Sequence, residues 1–279
     1  SLQNSGEFIA RHIGPNETQI QQMLSELKLE SLEALVEKTV PESITIAEPM
    51  GLAEPMSESA ALGKLKNIAA KNKATRSFIG LGYYDTHTPN VILRNVLENP
   101  GWYTAYTPYQ PEISQGRLEC LLNFQQMTLD LTAMDLANAS LLDEATAAAE
   151  AMALAKRVSK NRKANKFFVD QYCLPQTIDV IKTRAECFGF ELIIGDINAI
   201  PSEEVFGAIF QYPSAQGQIS DLAPIIDELH QHKAIAVVAA DLMSLVLLKP
   251  PGEMGADVVT GSTQRFGVPM GYGGPHAAY

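Results

Sequence analysis

From about residue 143 to residue 260 the chain alternates helical patterns with short apolar runs, and this alternation constrains the fold more than any other feature. A short run that is apolar on both alternating faces must be covered on both sides, which is the mark of parallel strands sandwiched between helices. Strands are predicted at 167–169, 190–194, 208–212, 234–240 and 257–260, with helices at 143–158, 175–188 and 220–232. Pro175 suits a first helical turn and Gly189 a helix stop. The expected class is α/β in three layers. Ligands in such sheets gather beyond the carboxyl ends of the strands, which directs attention to Asp170, Tyr212 and Asp241.

Ahead of this region lies a different pattern. Ile20, Met23, Leu24 and Leu27, then Leu32, Leu35 and Val36, recur at helical spacing, and Asn16 with Gln19 has the form of a capping box, so 16–40 reads as a helical hairpin. A Pro-containing linker covers 41–56, and Ser57 is placed to cap a third helix running to about Lys71. The predicted organisation is a helical N-terminal arm over 1–75 and a large domain over 76–279. Within the latter, 76–116 is rich in Gly, Pro, Thr and Tyr around one short helix at 90–97, and a longer helix is expected at 114–132.

Charge and motifs narrow the function. The balance of 21 Lys+Arg against 32 Asp+Glu gives −11, so nucleic acid is not expected as a partner. No apolar run is long enough to span a bilayer, and the first residues show neither a signal-peptide core nor an Arg-rich transit pattern. Cys120, Cys173 and Cys187 lack metal or disulfide spacing, which fits free thiols in the cytoplasm or an organelle matrix. Phosphate-loop, dinucleotide, nucleophile-elbow and zinc-protease signatures are all absent. His230 and His232 stand two apart on a predicted helix and face different ways, so no metal site is expected. The basic run from Lys156 to Lys166 reads as a solvated helix end.

Two segments could carry binding chemistry. At 138–152 small and hydroxyl residues open a helix, where free amides with Ser140 and Thr146 would suit a phosphate, while the alanines would equally suit close packing on the sheet. At 103–115 Tyr106, Tyr109, Gln110, Glu112 and Gln115 decorate a proline-stiffened loop, read either as binding residues or as interface packing. Tyr83 and Tyr84, with Thr86 and Thr88, occupy a companion loop open to the same two readings.

Asp241 at a strand end, followed by the segment from Asp257 to Phe266, resembles the arrangement in which pyridoxal-phosphate enzymes of the aminotransferase fold keep a pyridinium partner and a Schiff-base lysine. Here Arg265 stands at the lysine's place, and a guanidinium forms no imine. The stretches 11–15 (Arg-His-Ile-Gly-Pro), 82–84, 98–102 (Glu-Asn-Pro-Gly-Trp), 106–112, 114–119, 139–151 and 267–276 resemble the N-terminal half of the glycine decarboxylase P-protein family across essentially the whole chain. That resemblance implies a fold-type-I pyridoxal-phosphate transferase large domain and a chain that is the lysine-lacking half of the enzyme. It also implies that the C-terminal half holds the cofactor, glycine is decarboxylated there, and the aminomethyl group passes to the lipoyl arm of H-protein. Tyr106, Tyr109, Gln110, Glu112 and Gln115, with Tyr83 and Tyr84, would then face the partner half's site, while Ser140, Thr146, Asp241 and Arg265 would be relics of a cofactor site.

The resemblance further implies a homo-oligomer in the bacterial cytoplasm rather than the mitochondrial matrix. It is broken in one place, because Leu174 precedes Pro175-Gln-Thr177 where the family commonly has a ring-stacking His. The small domain of the fold is not expected within 279 residues, so the chain reads as a fragment, inactive and less stable alone. The rival reading is a noncatalytic module that dimerises with the catalytic half and shields it.

Overall fold

The structure, a computed structural model, describes residues 7–46, 48, 50–104, 110, 112–271 and 276–279. The chain divides into two compact units, Ser1–Arg76 and Ser77–Tyr279.

In the first unit α1 (Glu7–His12), α2 (Glu17–Leu27), α3 (Leu32–Thr39) and α4 (Glu58–Ala69) are short helices, the last three opened by side-chain caps. Asn16 and Gln19 form the expected reciprocal box, Asn16 Oδ1 accepting from Gln19 N at 3.0 Å and Gln19 Oε1 from Asn16 N at 2.9 Å. Ser31 and Ser57 cap α3 and α4 through their hydroxyls. Among the described residues of this unit only Leu24 is buried, so helix ends fixed by caps, more than a core, define its local structure.

The second unit is built on five parallel strands in the order β2-β1-β3-β4-β5: β1 (Lys166–Asp170), β2 (Glu191–Gly195), β3 (Val205–Tyr212), β4 (Ile235–Ala240) and β5 (Val258–Thr260). On one face Phe167, Val169, Phe206 and Val237 pack on α7 (Glu144–Val158) and α8 (Pro175–Phe188). On the other, Phe168, Phe210 and Val238 pack on α9 (Ala223–Gln231) and receive Phe124 and Leu131 from α6 (Gln115–Thr132). Alternate residues of one strand thus feed opposite layers, as the apolar runs predict, and each fully buried Phe contributes about 1.5–3 kcal/mol. The helix expected at 90–97 is present as a single turn, α5 (Asn90–Ile92), continuing into a π-helical turn Leu93–Leu97.

Two starts differ from the sequence reading by three residues. β3 begins at Val205 rather than 208, because Gly207 interrupts the apolar run without interrupting the strand. α9 begins at Ala223 rather than 220, because Asp221 Oδ1 accepts from Ala223 N at 3.1 Å and Pro224 fits the first turn.

Beyond β5 the strand-like segment 277–279 runs antiparallel. Ala278 exchanges hydrogen bonds with Leu141 at 2.8 and 3.0 Å, and Tyr279 N donates to Gly261 O at 3.0 Å. Tyr279 is buried, and its hydroxyl donates to Ala240 O at 2.7 Å, at the carboxyl end of β4. Position 261 has to be glycine here, since a Cβ would lie 2.2 Å from Ala240 O and 2.6 Å from the Tyr279 hydroxyl. Among the described residues no helix is long and apolar enough to cross a membrane.

Candidate functional site

The strand order steps one way from β1 to β2 and the other way from β3 to β5, and this switch point opens a crevice beyond the carboxyl ends of β1 and β3. Elements converge there from several parts of the second unit. The start of α7 is one wall. Asp143 Oδ1 accepts from Thr146 N at 2.8 Å and Thr146 Oγ1 lies 3.3 Å from Asp143 N, so the helix is closed by its own capping box. The amide a phosphate would use is therefore taken by a carboxylate, Ser140 is exposed, and Ala147, Ala148 and Ala149 are buried in close packing. Of the two readings of 138–152, helix packing is what the fold uses.

The opposite wall is an ion pair with a ring on top. Arg265 Nε donates to Asp241 Oδ1 at 2.9 Å and its terminal nitrogen to Oδ2 at 2.7 Å. The guanidinium carbon lies 3.8 Å from the centre of the Tyr84 ring, a cation–π contact. The loop carrying Tyr84 is tied down along its length. Gln264 Nε2 donates to Tyr84 O at 2.8 Å, Thr86 Oγ1 to Val268 O at 2.9 Å, Thr88 Oγ1 to Gly267 O at 2.7 Å, and Gln176 Nε2 to Leu81 O at 2.7 Å. Tyr83 instead meets His276 edge-on, ring centres 5.7 Å apart.

Between these walls lies a cavity of about 380 Å³ bounded by Gly82, Tyr84, Glu144, Leu174, Gln211 and Asp241, among others. Glu144 also borders a neighbouring cavity of about 250 Å³. Its carboxyl is pushed up to about 7, chiefly by burial; the Gln211 amide opposes this, and the charges of Asp241 and Asp143 add to it. Gly82, at φ +84, turns the loop over Leu174 so closely that a Cβ would sit 2.8 Å from the Leu174 side chain. Leu174 therefore lines the cavity with an aliphatic side chain at the position where the resemblance implies a stacking His. A larger, mostly apolar cleft of about 750 Å³ lies between α6, α7 and β5, away from the Arg265 pair.

These residues do not fit a pyridoxal-phosphate site. Among the described residues no lysine lines the cavity, both oxygens of Asp241 are engaged by a guanidinium, and two acidic residues stand at the helix start where a phosphate would need amides. Tyr106 and Tyr109 lie outside the described residues. Gln110, Glu112 and Gln115 are exposed, and none of them borders the cavities described above. The fold thus brings Tyr84, Asp241 and Arg265 together and leaves Gln110, Glu112 and Gln115 on the surface. Sequence reasoning missed Glu144 and Gln211. Glu144 reads as an ordinary first-turn acid, while Gln211 had a signal, as a lone amide inside an otherwise apolar strand.

His230 Nε2 lies 2.9 Å from Asp257 Oδ2, which also accepts from Ala236 N at 2.8 Å, so this histidine is part of a structural contact. Among the described residues no three metal-ligating side chains cluster.

Residues 10–279 match the family model for the glycine cleavage system P-protein. The chain is 63% identical over 278 residues to glycine dehydrogenase (decarboxylating) 2 of Colwellia psychrerythraea, covering 100% of this chain and 29% of that protein. Identity and coverage are the same for glycine dehydrogenase (decarboxylating) of Idiomarina loihiensis. The chain therefore spans under a third of the length of these curated relatives. It is also similar to the crystal structure of glycine decarboxylase (P-protein) of the glycine cleavage system in inhibitor-bound form, with a TM-score of 0.85 at 36% identity, covering 96% of this chain and 61% of that one. The Lactobacillus brevis glutamate decarboxylase shares the fold alone, with a TM-score of 0.58 at 13% identity, covering 85% of this chain and 60% of that one.

Proposed function

Because the chain belongs to the glycine cleavage system P-protein family, we propose that it serves as the N-terminal, lysine-lacking part of a glycine decarboxylase. In the complete enzyme the C-terminal half supplies pyridoxal phosphate, whose chemistry decarboxylates glycine, and lipoylated H-protein receives the aminomethyl group. The observation that carries this reading is the Arg265–Asp241 pair under Tyr84. A residue incapable of an imine is locked to the carboxylate that a cofactor ring would need, so this part supports a site elsewhere rather than holding its own.

The chain's contribution is assigned to the loop bearing Tyr106, Tyr109, Gln110, Glu112 and Gln115. A proline-stiffened aromatic segment offered to a neighbouring site excludes water while a carbanion develops, and Glu112 is the group suited to orient an amine or hold a proton. Tyr83 and Tyr84 are assigned to the same role as a companion loop, Tyr84 stacking on Arg265. The same reading gives the C-terminal half, H-protein and a further copy of the enzyme as partners, in the bacterial cytoplasm. The rival shielding module is not favoured, since the relatives are named for the enzyme.

Borohydride reduction of the complete enzyme with pyridoxal phosphate tests the assignment. Peptide mapping is expected to place the stoichiometric adduct outside residues 1–279. A single stoichiometric adduct on a lysine within them would overturn it.

A further inference from the structure

The turn that leads into Tyr83 and Tyr84 is held against its own preference. Gly80, Leu81 and Gly82 stand at φ +65, +54 and +84, three left-handed residues in a row, and for Leu81 this is a conformation that its Cβ disfavours. Tyr83 N closes the turn on Gly80 O at 2.9 Å, and Gln176 Nε2 donates to Leu81 O at 2.7 Å. Backbone strain of this kind persists only where surrounding contacts over-determine it.

Past the turn, one side chain supplies much of that constraint. Gln264, 8% exposed, accepts from Tyr84 N through Oε1 at 3.3 Å and donates to Tyr84 O through Nε2 at 2.8 Å. A carboxamide carries an acceptor and a donor side by side, so it pairs with both backbone groups of one residue as an adjoining strand would. Glutamate at neutral pH keeps only acceptors and methionine keeps neither, at nearly the same volume. The next residue, Arg265, takes the other end of Tyr84, its guanidinium carbon 3.8 Å from the ring centre. Consecutive residues thus grip the backbone and the ring of one tyrosine. Yet Tyr83 and Tyr84 each stay 40% exposed. A loop fixed at its backbone while its rings remain open displays side chains and does not fill a core.

We propose that Gln264 is a positioning residue for the decarboxylase reaction, its carboxamide fixing the 80–88 loop in the pose that offers Tyr83 and Tyr84 to the partner half's site. The proposal rests on the reading that these tyrosines serve that site.

In the complete enzyme, Gln264→Met and Gln264→Glu are each expected to lower kcat for glycine-dependent carbon dioxide exchange at least fivefold, with KM for glycine within twofold and pyridoxal-phosphate content unchanged. A loosened loop reduces the fraction of enzyme poised to react, whereas a merely structural role lowers the melting temperature and leaves kcat unaltered well below it. Hydrogen exchange of the unaltered enzyme depends on no variant folding, and the Tyr84 amide is expected to exchange at least tenfold more slowly than a free amide. Unchanged kcat in either folded Gln264 variant, or an unprotected Tyr84 amide, would overturn the proposal. The double variant Tyr83→Phe with Tyr84→Phe separates the two levels: a loss of activity there, with none in the Gln264 variants, overturns the role of Gln264 alone, and full activity without both hydroxyls overturns the site reading and the proposal with it.

Discussion

Arg265 reaches Asp241 with two parallel hydrogen bonds, 2.9 and 2.7 Å long, while its flat face lies 3.8 Å from the Tyr84 ring centre. The arrangement uses what distinguishes arginine from lysine: a planar fork that matches a carboxylate and a face that stacks on an aromatic ring. A lysine here would offer a point charge and lose both the second hydrogen bond and the stack.

Arg265→Met therefore leaves Asp241 part-buried beside Glu144 without a counter-charge. The expected loss is about 2 kcal/mol, below the roughly 3–5 kcal/mol of a fully buried pair, because both side chains keep some contact with water. Urea unfolding at neutral pH measures it. Arg265→Lys restores the charge but not the fork, and an intermediate loss is expected; equal stability of all three chains would show that the pair adds nothing.

Glu144 sets a pH dependence. Its carboxyl titrates near 7 in the folded chain against an ordinary value of 4.5, so the folded state holds a proton that the unfolded state has released between these values. Stability from this group is complete below about pH 4.5 and falls as the pH rises through 7, by up to roughly 3 kcal/mol. Glu144→Gln removes that slope. Unfolding midpoints at several pH values between 5 and 8 should converge for the two chains at the acid end and favour the variant at the alkaline end, and parallel curves would refute the assignment.

The contact between Tyr279 and Ala240 predicts an unequal pair of variants. Tyr279→Phe deletes a buried hydrogen bond and is expected to cost about 1–2 kcal/mol. Gly261→Ala drives a methyl into Ala240 O and the Tyr279 hydroxyl, which backbone cannot relieve cheaply, and is expected to cost about 3 kcal/mol or more. Thermal unfolding followed by circular dichroism ranks them, and a milder effect at 261 than at 279 would contradict the packing.

In the complete enzyme, Glu112→Gln and Tyr106→Phe are each expected to slow glycine-dependent carbon dioxide exchange tenfold or more, about 1.4 kcal/mol, with pyridoxal-phosphate content unchanged. Full activity in both would reduce the loop to packing.

The parallel sheet was legible in the sequence because its signals are local. Five apolar runs with intervening helices, Asn16 and Ser57 as caps, and Pro175 with Gly189 as start and stop each depend on a few neighbouring residues and survive any arrangement of the rest. The arginine at position 265 also declared itself in the sequence, because the chemistry of an imine depends on residue type and not on placement. What surrounds it did not. Asp143 and Glu144 look identical in kind along the chain, yet the first is spent on capping α7 while the second is carried into a cavity beside Gln211, from a strand more than sixty residues away, and only that enclosure raises its pKa. Tyr84 and Arg265, 181 positions apart, share a face only because Gln264, Thr86 and Thr88 tie two loops together. Residue type and spacing determined the layers and excluded an imine here, whereas desolvation and charge proximity, which exist only once distant segments meet, were decided by the tertiary structure.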